Sequence, residues 1–441
     1  MIGKQPWQGR RLHFAGIAGA GMSGLALVAQ TLGAEVTGSD RSVASTYALR
    51  LESAGIRLFE GHEEGHVPDR AELVVSTAIP PENPERAEGR RRGLRELHRA
   101  ELLGELTRLK PTIAVAGTHG KTTTSSMVVH ALRGCGLDPS YLVGGEVRST
   151  GTNAAWGEGE WLVVEADESD RSLLALSPSV AVLTNAELDH HTTYASQRDV
   201  DQTFRAFLAL AGTSVVWDRP ELLALASASA RVVSFDVPAP ELGPHGSAFD
   251  FDGVRVELPV PGAHNARNAA AALAACREAG VDVAAAAGAL RDFAGAGRRF
   301  ETLGVSGAGV TVVDDYAHHP TEVRATLEAA RTLGSRRVVA VFQPHLFSRT
   351  RRHADEFGAA LALADVVVVC EIYPARERAE DFPGVTGRLV AAAAADQGVP
   401  VAWMPRQADA ERYLRKTLRD GDLLLTLGAG DVDALARSLL R

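Results

Sequence analysis

The run Gly117-Thr118-His119-Gly120-Lys121-Thr122-Thr123-Thr124 stands between an apolar segment and a helical pattern. Its residue types suit one task. Glycines let backbone N–H groups approach phosphate oxygens, the following helix start adds partial positive charge, and a lysine reaches terminal phosphates. Thr122 offers a hydroxyl to Mg2+. Val115 stands where the common phosphate loop has its first glycine, so the spacing is a variant. Only four lysines occur in the chain, Lys4, Lys110, Lys121 and Lys416, which makes one inside a Gly-Thr loop stand out. A nucleoside triphosphate is the expected ligand.

Gly19-Ala20-Gly21-Met22-Ser23-Gly24 follows a strand-like run and opens a helical one, and Asp40 ends the next strand. A glycine turn presents amides to a diphosphate, and an acid at that place meets a ribose. UDP satisfies this description as well as NAD does. Gly19, Gly21, Asp40 and Ser76, the last at the end of a further strand, form the candidate set.

Residues 165–170, EADESD, put four carboxylates into six positions at a strand end. Buried, they would repel one another, so a cation or solvent must relieve them, and Mg2+ prefers carboxylate and phosphate oxygens. The next strand ends in Asn185, Glu187, Asp189, His190 and His191, of which at most one histidine faces a common site. Asn265 and Asn268 share one face of an Ala-rich helix at three-residue spacing, or Asn caps its start. Arg298-Arg299 suits a phosphate or a solvated surface. Residues 314–320, DDYAHHP, and 343–350, QPHLFSRT, place His, Tyr and Arg at two strand ends, and an arginine there is suited to gripping a carboxylate.

The elements that must carry these groups follow one grammar: a short β-branched run, a glycine turn, a helical pattern. That alternation specifies parallel sheets with crossover helices. The fold class is therefore α/β, and 441 residues suggest about three domains. The first block has strands near 12–16, 35–38 and 73–76 and a helix near 21–32. The charged stretch 80–97 and Lys110-Pro111 suggest its boundary, giving divisions at 1–108, 109–301 and 302–441. The second block has strands at 112–116, 161–165 and 180–184, a hairpin about Asp252-Gly253, and a helix at 266–279. The third alternates strands at 310–313, 337–342, 365–372 and 422–427 with helices. A net charge of -9 without a basic stripe argues against nucleic acid. Arg90–Arg92 reads as a solvated loop or helix face. Three scattered cysteines fit neither a disulfide framework nor a zinc site, and no signal-peptide pattern or membrane-length apolar run is visible, so a cytoplasmic protein with reduced thiols is expected.

In their order, these motifs resemble the Mur ligase family from about residue 11 to the end of the chain. The carriers are GAGMSG at 19–24, GTHGKTTT at 117–124, EADESD at 165–170 and the segment 185–190. HNxxN at 264–268, GRRFE at 297–301, DDYAHHPTE at 314–322 and FQPH…SRT at 342–350 complete the set. The resemblance implies a Rossmann-like UDP-binding domain, a central ATPase domain of phosphate-loop type, and a Rossmann-like C-terminal domain that takes the amino acid. It implies ATP and Mg2+, with UDP-N-acetylmuramate and L-alanine as substrates, joined through an acyl phosphate in peptidoglycan precursor synthesis, by a monomer or homodimer without nucleic-acid or membrane partners.

Carried over by motif, residues 117–123 bind ATP, with Lys121 on the γ-phosphate and Thr122 and Glu165 on Mg2+. His190 sits by a second metal. His264, Asn265 and Asn268 contact adenine, and Arg298 and Asp315 the nucleotide. Tyr316, His318, His345 and Arg349 surround the incoming amino acid and the muramoyl carboxylate, with His318 or a nearby carboxylate as base. Ala18 and Leu346 depart from the family pattern, where many relatives have Gly and Arg. No lysine lies between Lys121 and Lys416, which excludes the carbamoylated lysine of the later Mur ligases and agrees with the L-alanine-adding branch. Two other readings fit parts of the pattern. One is a ligase recycling murein peptides onto the same sugar nucleotide. The other is an NAD-dependent oxidoreductase, which leaves the Lys121 loop and the acidic cluster without a task.

Overall fold

A computed structural model describes residues 5–441. The chain forms two compact units, Met1–Asp236 with Asn268–Leu290, and Val237–Arg267 with Arg291–Arg441.

The first unit holds two sheets. Strands β1 Arg11–Ala15, β2 Glu35–Asp40, β3 Arg57–Glu60, β4 Glu72–Val75 and β5 Glu96–His98 pair in parallel in the order β3-β2-β1-β4-β5. The chain leaves β1 toward one side and returns to its other side at β4, so the segment after β1 lies at the switch point where open α/β sheets bind ligands. The second sheet contains β6 Thr112–Ala116, β7 Ser140–Val147, β8 Thr152–Ala155, β9 Leu162–Glu165, β10 Val180–Leu183, β11 Thr213–Trp217 and β12 Arg231–Phe235. Its order is β12-β11-β10-β6-β9-β7-β8, parallel except for the β7–β8 pair. All five residues of β6 are buried, as expected of a strand covered on both faces. It too sits at a switch, between β9 and β10, and the Lys121–Gly134 helix follows it.

The second unit holds a three-stranded antiparallel meander, β13 Glu241–Gly243, β14 Gly246–Phe251 and β15 Val254–Leu258. Asp252 and Gly253 join the last two strands with φ of 50° and 76°, the two-residue turn that matches strand twist. Its larger sheet contains β16 Glu301–Val305, β17 Thr311–Asp315, β18 Arg337–Phe342, β19 Val366–Val369, β20 Val401–Trp403 and β21 Asp422–Leu427. The order is β16-β17-β21-β18-β19-β20, with only β16 antiparallel. Among the described residues no helix is long and apolar enough to cross a membrane.

Two expectations need correction. The charged stretch 80–97 is no boundary: it contains the helix Pro84–Arg91 and the edge strand β5 of the first sheet. Its charges are locally dense, but Glu85 and Glu88 turn inward while Arg90 and Arg91 face solvent. The Ala-rich helix begins at Ala263, three residues earlier than the alanine run suggests, so His264 and Asn265 lie within its first turn.

In the second unit, Asp422 opens β21 with only 1% of its surface exposed. Arg337 donates to both its oxygens, at 2.9 and 2.5 Å, and the Arg419 amide donates at 2.7 Å. Burial pushes the carboxyl up, but these bonds and the Arg337 charge outweigh it and hold it below the usual aspartate range. Arg337→Ala should therefore cost about 3 kcal/mol at neutral pH, because it strands a buried charge. A group with a depressed folded pKa stabilises above its unfolded value and loses that contribution as pH falls. Urea denaturation of variant and wild type should accordingly show the difference shrinking below about pH 4. An equal difference at both pH values would contradict this account.

Candidate functional site

Gly117 and Gly120 adopt φ of 134° and 82°, a region that side chains rarely enter. Space is the second reason for glycine. A Cβ on Gly117 would lie 2.1 Å from Thr184 Oγ1 at the end of β10, and one on Gly120 would lie 2.6 Å from Asn268 Oδ1. The loop is fastened to the β10 end: the Thr118 hydroxyl donates to the Glu187 carbonyl at 2.9 Å, and the Asn185 side chain accepts from the His119 amide at 2.9 Å. The Lys121–Gly134 helix has Gly120 as its cap residue, with no side chain bonded over its first turn. Those amides and the helix dipole make an anion site.

The Lys121 ammonium folds back over this loop. It donates to the carbonyls of Gly117 and Thr118 at 2.6 and 3.2 Å and to Glu168 Oε1 at 2.9 Å. Burial alone would lower its pKa; Glu168, Glu165 and Asp167 outweigh that and hold it above the ordinary lysine value. The acidic cluster is thus relieved partly from within the protein. Arg99, opening the helix after β5, donates to Asp167 at 2.7 Å and Asp170 at 2.8 Å. Burial pushes Asp167 up, yet Arg99 foremost, with Lys121 and Ser169, brings it down to about 2.

Glu168 Oε2 remains buried without a hydrogen-bond partner, an expensive state for a carboxylate oxygen. His190 Nε2 lies 3.3 Å from Glu168 Oε1, and His190 holds a left-handed φ of 51°. Glu165 accepts the Gly144 amide at 2.8 Å. Thr122 is buried in the first turn of the helix. Carboxylate and hydroxyl oxygens of this kind, one of them unpaired, fit Mg2+.

A cleft runs from the end of β9 to the turn after β1, lined by Gly21, Gly24, Arg99, Asn153, Glu165 and Asp167. Asn153 donates to the Ala20 carbonyl at 2.9 Å, and Gly24 lets the Ala20–Thr31 helix sit against Ala154, 3.0 Å from where a Cβ would be. In the turn itself Gly16 takes the left-handed conformation, at φ 79°, whereas Gly19 has an ordinary φ of −73° as the helix cap. Asp40 Oδ2 accepts the Ala18 amide at 2.9 Å, so it shapes the turn. Ser76 follows β4, half-buried. The first unit therefore brings Gly19, Gly21 and Asp40 into one turn, and joins it through the cleft to Glu165.

The second unit gathers another set. Arg298 donates to Asp314 at 2.9 Å and to the carbonyls of Gly428 and Gly430 at 2.8 and 3.0 Å, its guanidinium lying 5.2 Å from the Tyr316 ring centre. Asp315 faces inward and accepts the amides of Phe300 and Ala317, both at 2.7 Å. Burial pushes it up to about 7 against Arg299 and those amides. His318 packs edge-on against Tyr316 and His345, and Arg349 Nη1 lies 3.2 Å from His345 Nδ1. Since arginine only donates, that histidine nitrogen accepts. Burial first, then Arg349 and His345, lowers His318 to about 3. His264 is likewise lowered to about 4, by burial and Arg267.

Tyr316, His318, His345 and Arg349 are thus brought together. Arg298 and Asp315 are engaged by their own unit. Arg99, Glu168 and Asn185 have roles that sequence reading did not assign. Arg99 carried no signal, since its partners lie about 70 residues away; Asn185 and Glu168 stood inside motifs already singled out.

Three family models cover the chain: "Mur ligase family, catalytic domain" over residues 11–111, "Mur ligase middle domain" over 115–276 and "Mur ligase, glutamate ligase domain" over 298–430. The UDP-N-acetylmuramate--L-alanine ligase of Acidithiobacillus ferrooxidans is 43% identical, over 97% of this chain and 96% of its own. That of Renibacterium salmoninarum is 44% identical, over 98% and 95%. Among solved structures, the UDP-N-acetylmuramate-alanine ligase of Thermotoga maritima matches with a TM-score of 0.84 at 27% identity, over 97% and 98% of the two chains. A murein peptide ligase from Psychrobacter arcticus matches at 0.71 and 26% identity, over 98% of each.

Arg99→Met would leave Asp167 and Asp170 without their cation. Turnover should fall about 100-fold, as for loss of a preorganised charge in a site of this kind. Asp167 would rise from about 2 toward its ordinary value, so the acid-side decline of kcat/KM should move to higher pH. A pH profile that keeps its wild-type acid limb would refute the role given to Arg99.

Proposed function

The chain belongs to the Mur ligase family, and from that premise we propose how its residues divide the work of one reaction. It is an ATP-dependent ligase that adds L-alanine to the carboxylate of UDP-N-acetylmuramate in peptidoglycan precursor synthesis. The observation that carries the assignment of roles is the Lys121 ammonium, buried among carboxylates on a glycine loop beside the cleft that leads to the first sheet's turn.

A carboxylate is a poor electrophile because expelling oxide is prohibitive. The muramoyl carboxylate attacks the γ-phosphorus of ATP, the bond to the β–γ bridging oxygen breaks, and ADP leaves an acyl phosphate. The alanine amine then attacks the carbonyl carbon, loses a proton, and inorganic phosphate departs from the tetrahedral intermediate. The amides of the first turn after Gly120, together with Lys121, receive charge on the transferring phosphoryl group, where fixed electrostatics contributes most. Thr122, Glu165 and Glu168 would hold Mg2+, with His190 beside them; when bound, the ion neutralises phosphate charge. Gly19, Gly21, Asp40 and Ser76 form the UDP side. His264, Asn265 and Asn268 take the adenine. Tyr316, His345 and Arg349 take the amino acid, with Arg349 suited to its carboxylate. His318, at about 3, is a hydrogen-bonding neighbour of the amine and too weak a base to hold its proton near neutral pH. We place the enzyme in the cytoplasm as a monomer or homodimer, its free thiols Cys135, Cys276 and Cys370 kept reduced.

Lys121→Ala should reduce ADP release that depends on both UDP-N-acetylmuramate and L-alanine by at least about 100-fold. A coupled phosphate-release assay measures it, with glycine and L-serine expected to serve less well than L-alanine. Full turnover in the variant would remove the central role from Lys121.

A further inference from the structure

The face of the first sheet that carries Ala15, Leu73, Val75 and Ile79 also holds a buried polar cluster centred on one carboxylate. Glu85, in the first turn of the Pro84–Arg91 helix, has a side chain with no exposed surface. Three histidines surround it, one from β1 and two from the stretch after β3. His62 Nδ1 lies 3.1 Å from Oε2, and His13 Nε2 and His66 Nδ1 each lie 3.5 Å from Oε1. His13 is held by Thr37 at 2.8 Å through its other nitrogen, and His66 is stacked on Phe59. Burial pushes the Glu85 carboxyl up, but His13, Ser39 and His62 outweigh it and hold it below the usual glutamate range. A buried charge is costly even when it is paired, and gives a fold little net stability. Its connections show what it holds in place.

Ser39 donates to Glu85 Oε2 at 2.7 Å. The same residue's carbonyl accepts the amides of Gly16 and Ile17 at 2.8 and 3.0 Å, and its neighbour Asp40 accepts the amide of Ala18 at 2.9 Å. Three successive amides of the turn after β1 are therefore tied to the dipeptide Ser39-Asp40, and that dipeptide is tied by one buried hydrogen bond to Glu85. Gly38 closes the remaining space: a Cβ there would lie 2.6 Å from Ile17 Cδ1 and 2.7 Å from the Phe14 carbonyl.

We propose that Glu85, with Ser39, is a positioning residue for the nucleotide-sugar substrate: it fixes the Ser39-Asp40 dipeptide and, through it, the diphosphate-facing turn at residues 16–21. The inference rests on the reading that this turn receives UDP-N-acetylmuramate. It requires that loss of the Glu85 charge weaken that substrate alone, because ATP and L-alanine are assigned to residues on other strand ends.

Steady-state kinetics on the full chain, varying each substrate in turn, test it. Glu85→Gln keeps the shape and removes the charge. It should raise the KM for UDP-N-acetylmuramate about tenfold or more, with the KM for ATP and L-alanine, and kcat at saturation, within about twofold of wild type. Ser39→Ala deletes the link, together with a 3.0 Å contact to His62, and should raise the same KM severalfold; it decides the matter should Glu85→Gln fold poorly. An unchanged KM for the nucleotide sugar, or a parallel rise for all three substrates, overturns the proposal. Asp40→Ala and Gly21→Val alter the turn directly and report on the underlying reading. If they raise that KM while the Glu85 and Ser39 variants do not, the positioning role fails and the site stands. If they too leave it unchanged, the site lies elsewhere and both fall.

Discussion

One ammonium among carboxylates organises the catalytic half of the first unit. Lys121 faces Glu165, Asp167 and Glu168, and Arg99 faces Asp167 and Asp170. Counted formally, four carboxylates meet two cations, which leaves a charge of minus two. Bringing a polyphosphate into that field makes the imbalance worse unless a divalent cation enters with it. A divalent cation would offset that charge count, and the unpaired oxygen of Glu168 marks where the deficit is felt. The arrangement also keeps Lys121 charged despite burial, since the carboxylates that create the deficit are those that raise its pKa.

Close approach, more than phosphate recognition, dictates the glycines around that lysine. Gly117 and Gly120 are pressed against Thr184 and Asn268, and Gly144 leaves 2.7 Å between a would-be Cβ and Glu165 Oε1. The Ala-rich helix completes the packing: Ala269 through Ala275, apart from Leu273, are alanines without exposed surface. Small residues let the helix come close enough for Asn268 to touch the loop. The loop's shape is thus set by its neighbours before any ligand arrives, which is the condition for electrostatic preorganisation.

The division between what could and could not be read from the sequence follows distance along the chain. Lys121 and Glu165 were legible because each stands at or just after the end of a continuous apolar run, where a buried strand gives way to a turn. Strands β18 and β21 were legible to the residue for the same reason. Arg99 was not, because its meaning comes from carboxylates in a motif about 70 residues on. The stretch 80–97 was misread as a boundary because charge density looks like solvation. Glu85 is buried only because His13, Ser39 and His62 come from three other segments to meet it. Long-range pairing of polar groups leaves no periodic trace.

The second unit solves a different electrostatic problem from the first. An amine attacks only when unprotonated, and near neutral pH free alanine is mostly an ammonium. The environment of His318 penalises a cation chiefly through burial; Glu322 opposes that penalty, Arg349 adds to it, and the histidine falls to about 3. Burial disfavours an ammonium placed beside it, and Glu322, whose oxygen lies 3.4 Å from His318 Nδ1, is a carboxylate within reach of its proton. On the proposed division of roles, the first unit concentrates opposite charges around the phosphoryl group, while the second buries a histidine that burial leaves neutral near pH 7.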